Sequence, residues 1–147
     1  MKTVMTRTEL QAVVEDYLET WSMRRPEEIA RYHAVDGVAE SPIYATLRGR
    51  TAIEEAARSF FTSFPDATQE IEATVIDPPN VAIFTRVNAT HVNEFFGLPG
   101  TGRHIEFRHS RLIRISDEGL IVHERRIYDF TGLLVQIGVL RAKPGKP

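Results

Sequence analysis

Val81-Ala82-Ile83-Phe84-Thr85-Arg86-Val87-Asn88-Ala89-Thr90-His91-Val92 is dense in branched and aromatic side chains and contains neither Pro nor Gly. Such side chains fit a pleated strand. Before it, Asp77-Pro78-Pro79-Asn80 reads as a turn and Thr68 to Ile76 as another strand. After it, the glycine-containing stretch Gly97 to Gly102 reads as a loop and Ile105 to Ile115 as an alternating strand. Asp117-Glu118-Gly119 then makes a hairpin turn, and Leu120 to Phe130 is the last long strand. A short apolar helix from Gly132 to Leu140 closes the pattern. The second half is therefore expected to be a meander of long strands.

The first half has a different period. Leu10, Val13, Val14, Tyr17, Leu18 and Trp21 recur at helical spacing behind Thr8, a candidate cap. Pro26 suits the first turn of a short second helix carrying Ile29, Ala30 and His33. Gly37 to Tyr44 reads as extended, with Pro42 at an edge or bend. Thr51 to Ser63 reads as a third helix that buries Ile53, Ala56, Ala57, Phe60, Phe61 and Phe64, and Pro65-Asp66 stops it. Helices followed by strands make an α+β pattern with one curved sheet.

A chain of 147 residues fits one domain, expected over 1–140, with a mobile basic tail over 141–147. The net charge of −2 lacks the concentrated positive field that nucleic acid requires, so no nucleic-acid partner is expected. With no Cys, disulfides and thiolate nucleophiles are excluded. No run approaches the ~20 apolar residues of a membrane span, and Met1 to Thr8 lacks the apolar stretch of a signal peptide. A cytoplasmic protein with no membrane partner is expected. His91, His104 and His123 fall in no metal-ligand spacing, and the loop at Gly97 lacks the Lys-Ser/Thr of a phosphate loop. No metal and no organic cofactor is expected.

Three segments resemble the SnoaL-like cyclases of the nuclear transport factor 2-like superfamily. They are the helix end Phe60-Phe61-Thr62-Ser63-Phe64-Pro65-Asp66, the strand-to-loop stretch Thr90 to Gly102, and the C-terminal run Tyr128-Asp129-Phe130-Thr131-Gly132-Leu133-Leu134-Val135-Gln136-Ile137-Gly138. The resemblance implies a cone-shaped roll. In it a strongly curved, mixed but mostly antiparallel sheet wraps around three N-terminal helices, and a short C-terminal helix follows. It also implies a small-molecule pocket, and a cofactor-free aldol closure in which a carboxylate removes a C–H proton. By the same likeness Glu40, Thr90, Phe107, His109, Glu124 and Tyr128 face the cavity. Limonene-epoxide-hydrolase-like members carry Arg-x-Asp on one strand and an acid on the last strand. Here those positions hold Arg86, Asn88 and Arg126, so water held between two carboxylates is not expected.

Side chains two apart on a strand share a face, which groups 86/88/90, 107/109/111 and 124/126/128. The expected catalytic set is Glu124, His109 and Glu40, with Arg86, Asn88, Arg126, Tyr128, Phe107 and Thr90 binding substrate. Each has a plainer alternative. His109 is either an acid/base or a satisfied core histidine. Glu124 is either a base or the partner of Arg86, Arg111 or Arg126 in an ion pair. The arginines are either a cationic floor or strand bridges on an exposed face. Asp129 is either an acid at the cavity mouth or, the favoured reading, a helix cap. The function expected is an acid/base enzyme acting on a small carbonyl compound. A non-catalytic binding protein is the alternative, an accessory dimer with no ligand is a third reading, and an epoxide-hydrolase-like reaction is disfavoured by Asn88 and Arg126. Long strands with apolar residues on both faces also predict a homodimer.

Overall fold

The computed structural model describes residues 4–141. The expected tail, 141–147, lies outside them apart from Arg141. Helix α1 (Arg7–Ser22) is followed by α2 (Pro26–Arg31), β1 (His33–Ser41), β2 (Ala45–Arg48) and α3 (Gly49–Ser63). Then come β3 (Thr68–Asp77), β4 (Asn80–Thr90), β5 (His104–Ile115), β6 (Ile121–Tyr128) and α4 (Phe130–Gln136). The strands form one sheet in the order β2-β1-β6-β5-β4-β3. Only β1 and β6 run parallel; the remaining neighbours are antiparallel. No helix among the described residues is long and apolar enough to cross a membrane.

The local sequence accounts for these elements. Thr6, not Thr8, caps α1: its hydroxyl accepts from Glu9 N at 3.2 Å while Glu9 reaches back to Thr6 N at 3.3 Å. This reciprocal Thr-x-x-Glu pairing satisfies two otherwise free helix donors, and Thr8 falls inside the first turn. Leu10, Val14, Tyr17 and Leu18 are buried on one face of α1, and each large apolar side chain so placed contributes about 1.5–3 kcal/mol. Pro26 opens α2, as its fixed φ favours. His33 starts β1 instead of ending α2, and the short strand β2 had no sequence signal of its own. A bulge between His33 and Val38 bends β1 against β6. Gly37 sits inside it, where an added Cβ would stand 3.0 Å from the carbonyl oxygens of both Ala34 and Ile121.

The helices cover one face of the sheet. One core cluster joins Leu10, Tyr17, Ile29, Ile83 and Ile113. A second joins Phe64, Ala89, Phe95, Ile105 and Leu133. Phe61 packs against both, and between them the core is not closed.

Candidate active site

Strand parity decides which side chains reach that gap. On β5 Phe107, His109 and Arg111 face the helices, as do Glu124, Arg126 and Tyr128 on β6. Antiparallel pairing aligns them in rows: His109 lies opposite Tyr128, Arg111 opposite Arg126, and Ile113 opposite Glu124. The cavity they line is walled by Trp21, Ile43, Tyr44, Phe60, Phe61 and Leu133. Its empty volume, counted out through the open mouth, is about 680 Å³.

Strand β4 has the opposite parity to the one expected. Val81, Ile83, Thr85, Val87 and Ala89 point inward. Arg86, Asn88 and Thr90 therefore lie on the far face of the sheet and do not join the cavity. Arg86 meets Glu72 at 3.3 Å and Glu106 at 3.5 Å. Asn88 Oδ1 pairs with His104 Nε2 at 3.1 Å, and Thr90 donates through both N and Oγ1 to Asp66 at 2.7 Å. Glu40 is also on the far face, 2.7 Å from His123 Nε2 and 3.5 Å from Arg125. The His123 hydrogen bond holds its carboxyl below the usual range. Of the expected site residues, His109, Arg126, Tyr128 and Phe107 line the cavity, and Glu124 lies one row beyond its floor.

Glu124 is wholly buried. It accepts from Arg111 Nη1 at 2.8 Å, from Arg126 Nε and Nη2 at 3.2 and 3.0 Å, and from Tyr17 OH at 3.0 Å. Burial alone would raise its pKa. Arg126 and Arg111 outweigh that and hold the carboxyl well below the usual carboxylate range. It is a fixed anion, with donors on both carboxylate oxygens. Tyr17 is pushed up to about 12 by burial and by Glu124, so it stays a neutral donor. His33 Nε2 approaches Tyr17 OH at 3.3 Å, and burial pushes this imidazole down to about 4. Trp21 lies under both guanidinium groups, 4.4 Å from Arg111 Cζ and 5.1 Å from Arg126 Cζ, a cation–π arrangement that compensates part of their lost hydration.

His109 is different. It is 8% exposed, its ring stacks on Tyr128 at 5.1 Å and 17°, and its buried Nδ1 has no hydrogen-bond partner. Burial, reinforced by Arg111 and Arg126, lowers its pKa well below the ordinary value, so the imidazole is neutral at pH 7. Tyr128 OH meets Ser41 Oγ at 2.9 Å, which fixes the ring on which His109 rests. Asp129 caps α4 by accepting from Gly132 N at 2.8 Å, in line with the favoured reading. Among the described residues, no group of three or more His, Asp or Glu side chains could hold a metal ion.

Sequence reasoning missed Tyr17 and His33 as site residues, while Arg111, read as either cationic floor or exposed strand bridge, lines the cavity. A signal existed for Tyr17: a phenol on the buried face of α1, in line with Leu10 and Val14, must find a polar partner inside.

This arrangement was compared with known proteins. Among solved structures, AclR from Streptomyces galilaeus superposes with a TM-score of 0.82 at 23% identity, covering 95% of this chain and 87% of that one. IdmH from Streptomyces antibioticus gives 0.74 at 25% identity, covering 88% and 98%. A SnoaL-like polyketide cyclase from Agrobacterium tumefaciens gives 0.71 at 19% identity, covering 94% and 100%. These likenesses carry the cone-shaped nuclear transport factor 2-like fold. A comparison with curated proteins finds no match. The model of the SnoaL-like polyketide cyclases matches residues 11–137, which takes in most of α1, the whole sheet and α4. The chain belongs to the SnoaL-like polyketide cyclase family.

Proposed function

We propose that this chain is a cofactor-independent acid/base enzyme acting on a small carbonyl compound, by intramolecular aldol cyclisation or isomerisation. His109 moves the proton, and Arg111 and Arg126 hold the oxygen that gains negative charge. The observation that carries this reading is the His109 ring: neutral, nearly buried, stacked on Tyr128, on the wall of an open cavity whose floor is cationic. Glu124, expected as the base, is unsuited to it. A carboxylate locked between two guanidinium groups is a weak base, so its part is to hold the arginines in place. Among the described residues no acidic side chain lines the cavity, which disfavours epoxide hydrolysis by a carboxylate-activated water.

The test is exchange of the α-hydrogens of α-tetralone in D2O, followed by mass spectrometry. His109→Ala is expected to slow the protein-catalysed exchange by about 10²–10⁴-fold, the usual range for general acid–base catalysis. Exchange at the wild-type rate in a folded His109→Ala protein would sink the assignment. Saturable binding with no exchange by the wild type would instead favour the non-catalytic binding protein. The packing of Phe107 and Tyr128 around His109 supports that second reading.

The far face of the sheet supports a homodimer. Phe84, Leu112 and Ile127 are 42%, 44% and 56% exposed there on three adjacent strands. Sedimentation at micromolar concentration should give twice the chain mass, and Phe84→Glu with Leu112→Glu should give the monomer. A wild-type monomer would end this idea.

A further inference from the structure

The charges at the cavity floor do not balance. Arg111 and Arg126 bring two positive charges, Glu124 one negative, and His33, His109 and Tyr17 are neutral near pH 7. Both arginines are less than one-tenth exposed, so solvent does little to screen the remaining charge. Glu124 engages only Nη1 of Arg111, and the buried Arg111 Nε has no hydrogen-bond partner. From Arg126 it takes Nε and Nη2, leaving Nη1 outside the pair. The Trp21 ring disperses some of the charge but carries none of its own. Both arginines line the cavity, and among the described residues no carboxylate does. A buried net positive charge on the wall of an open cavity is a costly arrangement until an anion meets it.

We infer that the cavity floor is a built site for one monoanionic group, a free carboxylate on the small molecule that fills the pocket, held by Arg111 and Arg126. This rests on the reading of the cavity as a small-molecule site. A planar carboxylate matches the guanidinium fork, and a single negative charge matches the single unbalanced positive one. A phosphate dianion would leave an excess negative charge beside Glu124. The rest of the ligand is apolar and preferably flat, since Tyr44, Phe60, Phe61 and Phe107 form the walls. The carboxylate would also neutralise the field that the two arginines exert on His109. Docking of the acid would thus make His109 more basic just when its substrate is present.

The test uses phenylacetate and its neutral isostere phenylacetamide. Trp21, the only tryptophan in the chain, lines the cavity and reports binding by fluorescence. Phenylacetate is expected to bind at least about tenfold more tightly than the amide, and Arg126→Gln to abolish the preference. In the wild-type protein, NMR titration of His109 should show its midpoint rising with phenylacetate and not with phenylacetamide, a readout that needs no variant to fold. Equal affinities for acid and amide, or a His109 midpoint unmoved by bound phenylacetate, would overturn the anion site while leaving the pocket in place. Failure of both compounds to bind a folded protein would count against the anion site and the small-molecule pocket together.

Discussion

Replacing Glu124 by Gln keeps the shape of the buried side chain and removes its charge, so it isolates what the carboxylate does. Both carboxylate oxygens face donors: Arg111 Nη1 at 2.8 Å on one, Arg126 Nη2 at 3.0 Å and Nε at 3.2 Å on the other, with Tyr17 OH within 3.1 Å of both. Whichever way the amide turns, its NH2 group points at a donor. Arg111 and Arg126, directly opposite each other across β5 and β6, would then repel with nothing between them. Removing one partner from a buried ion cluster costs about 3–5 kcal/mol. At about 2–4 °C per kcal/mol for a chain of this size, the melting temperature should fall by roughly 6–20 °C. The pH dependence sharpens the test. The folded-state pKa of Glu124 is depressed, so its stabilisation is complete above the unfolded value of 4.5 and is lost as pH falls below it. By pH 3.5 roughly 1 kcal/mol of the wild-type advantage should be gone. Urea unfolding of both proteins at pH 7 and pH 3.5 measures this difference, in which other acid-sensitive groups cancel to a first approximation. Equal midpoints at pH 7, or a gap that does not narrow with acid, would refute the assignment of Glu124 as the anchor of the floor.

The two buried histidines make a separate prediction for the wild type. Both folded-state pKa values lie below the unfolded 6.5, so their contribution is complete above pH 6.5 and is lost as pH falls. By pH 5 the loss from His33 should be about 2 kcal/mol, with His109 adding a loss of the same sign, and a flat stability profile from pH 7 to 5 would contradict their burial as neutral rings. On the far face, Arg86→Ala and Asn88→Ala should change phenylacetate affinity by less than about twofold and stability by no more than about 1 kcal/mol, the range for exposed pairs. A tenfold loss of affinity in either would return those residues to the cavity.

The helices were legible because burial on one face repeats every three to four residues. Leu10, Val14 and Tyr17, and likewise Ile53, Ala56 and Ala57, announce their buried side directly. The parity of β4 was harder. Phe84 on its even face is as apolar as anything on the odd face, yet it is 42% exposed. The better clue was polar content: the even set holds Arg86, Asn88 and Thr90, while the odd set holds only Thr85, whose hydroxyl donates to the His109 carbonyl at 3.0 Å. A core accepts one small, satisfied hydroxyl far more readily than a guanidinium, an amide and a hydroxyl together. Glu40 failed for a related reason. Alternation along β1 puts Ala39 and Ser41 inside, and Glu40 then shares the outer face with His123 and Arg125. The inward parity of β5 and β6 came from the family resemblance, which set Phe107, His109, Glu124 and Tyr128 toward the cavity, and the period of two then put Arg111 and Arg126 on the same faces. What those faces build, a cation pair around a fixed anion, depends on contacts between residues far apart in sequence, such as Tyr17 with Glu124.

The placement of charge along β6 bears directly on the chemistry. An enzyme that activates water with a carboxylate needs a free lone pair of that carboxylate facing the cavity. On β6 the residue that faces it in the floor row is Arg126, and the carboxylate sits two positions earlier, one row farther from open space. Exchanging those positions would produce an acidic floor with a cation behind it, suited to holding a proton or a water. As the chain stands, the anion is structural and the cations are presented, so the floor favours oxygen atoms that carry or gain negative charge. Any basic step must then come from a group outside the ion cluster. His109 is neutral, stacked on Tyr128 and within the same inward row system as Arg111, and it meets that requirement without disturbing the pairing that keeps Arg111 and Arg126 side by side.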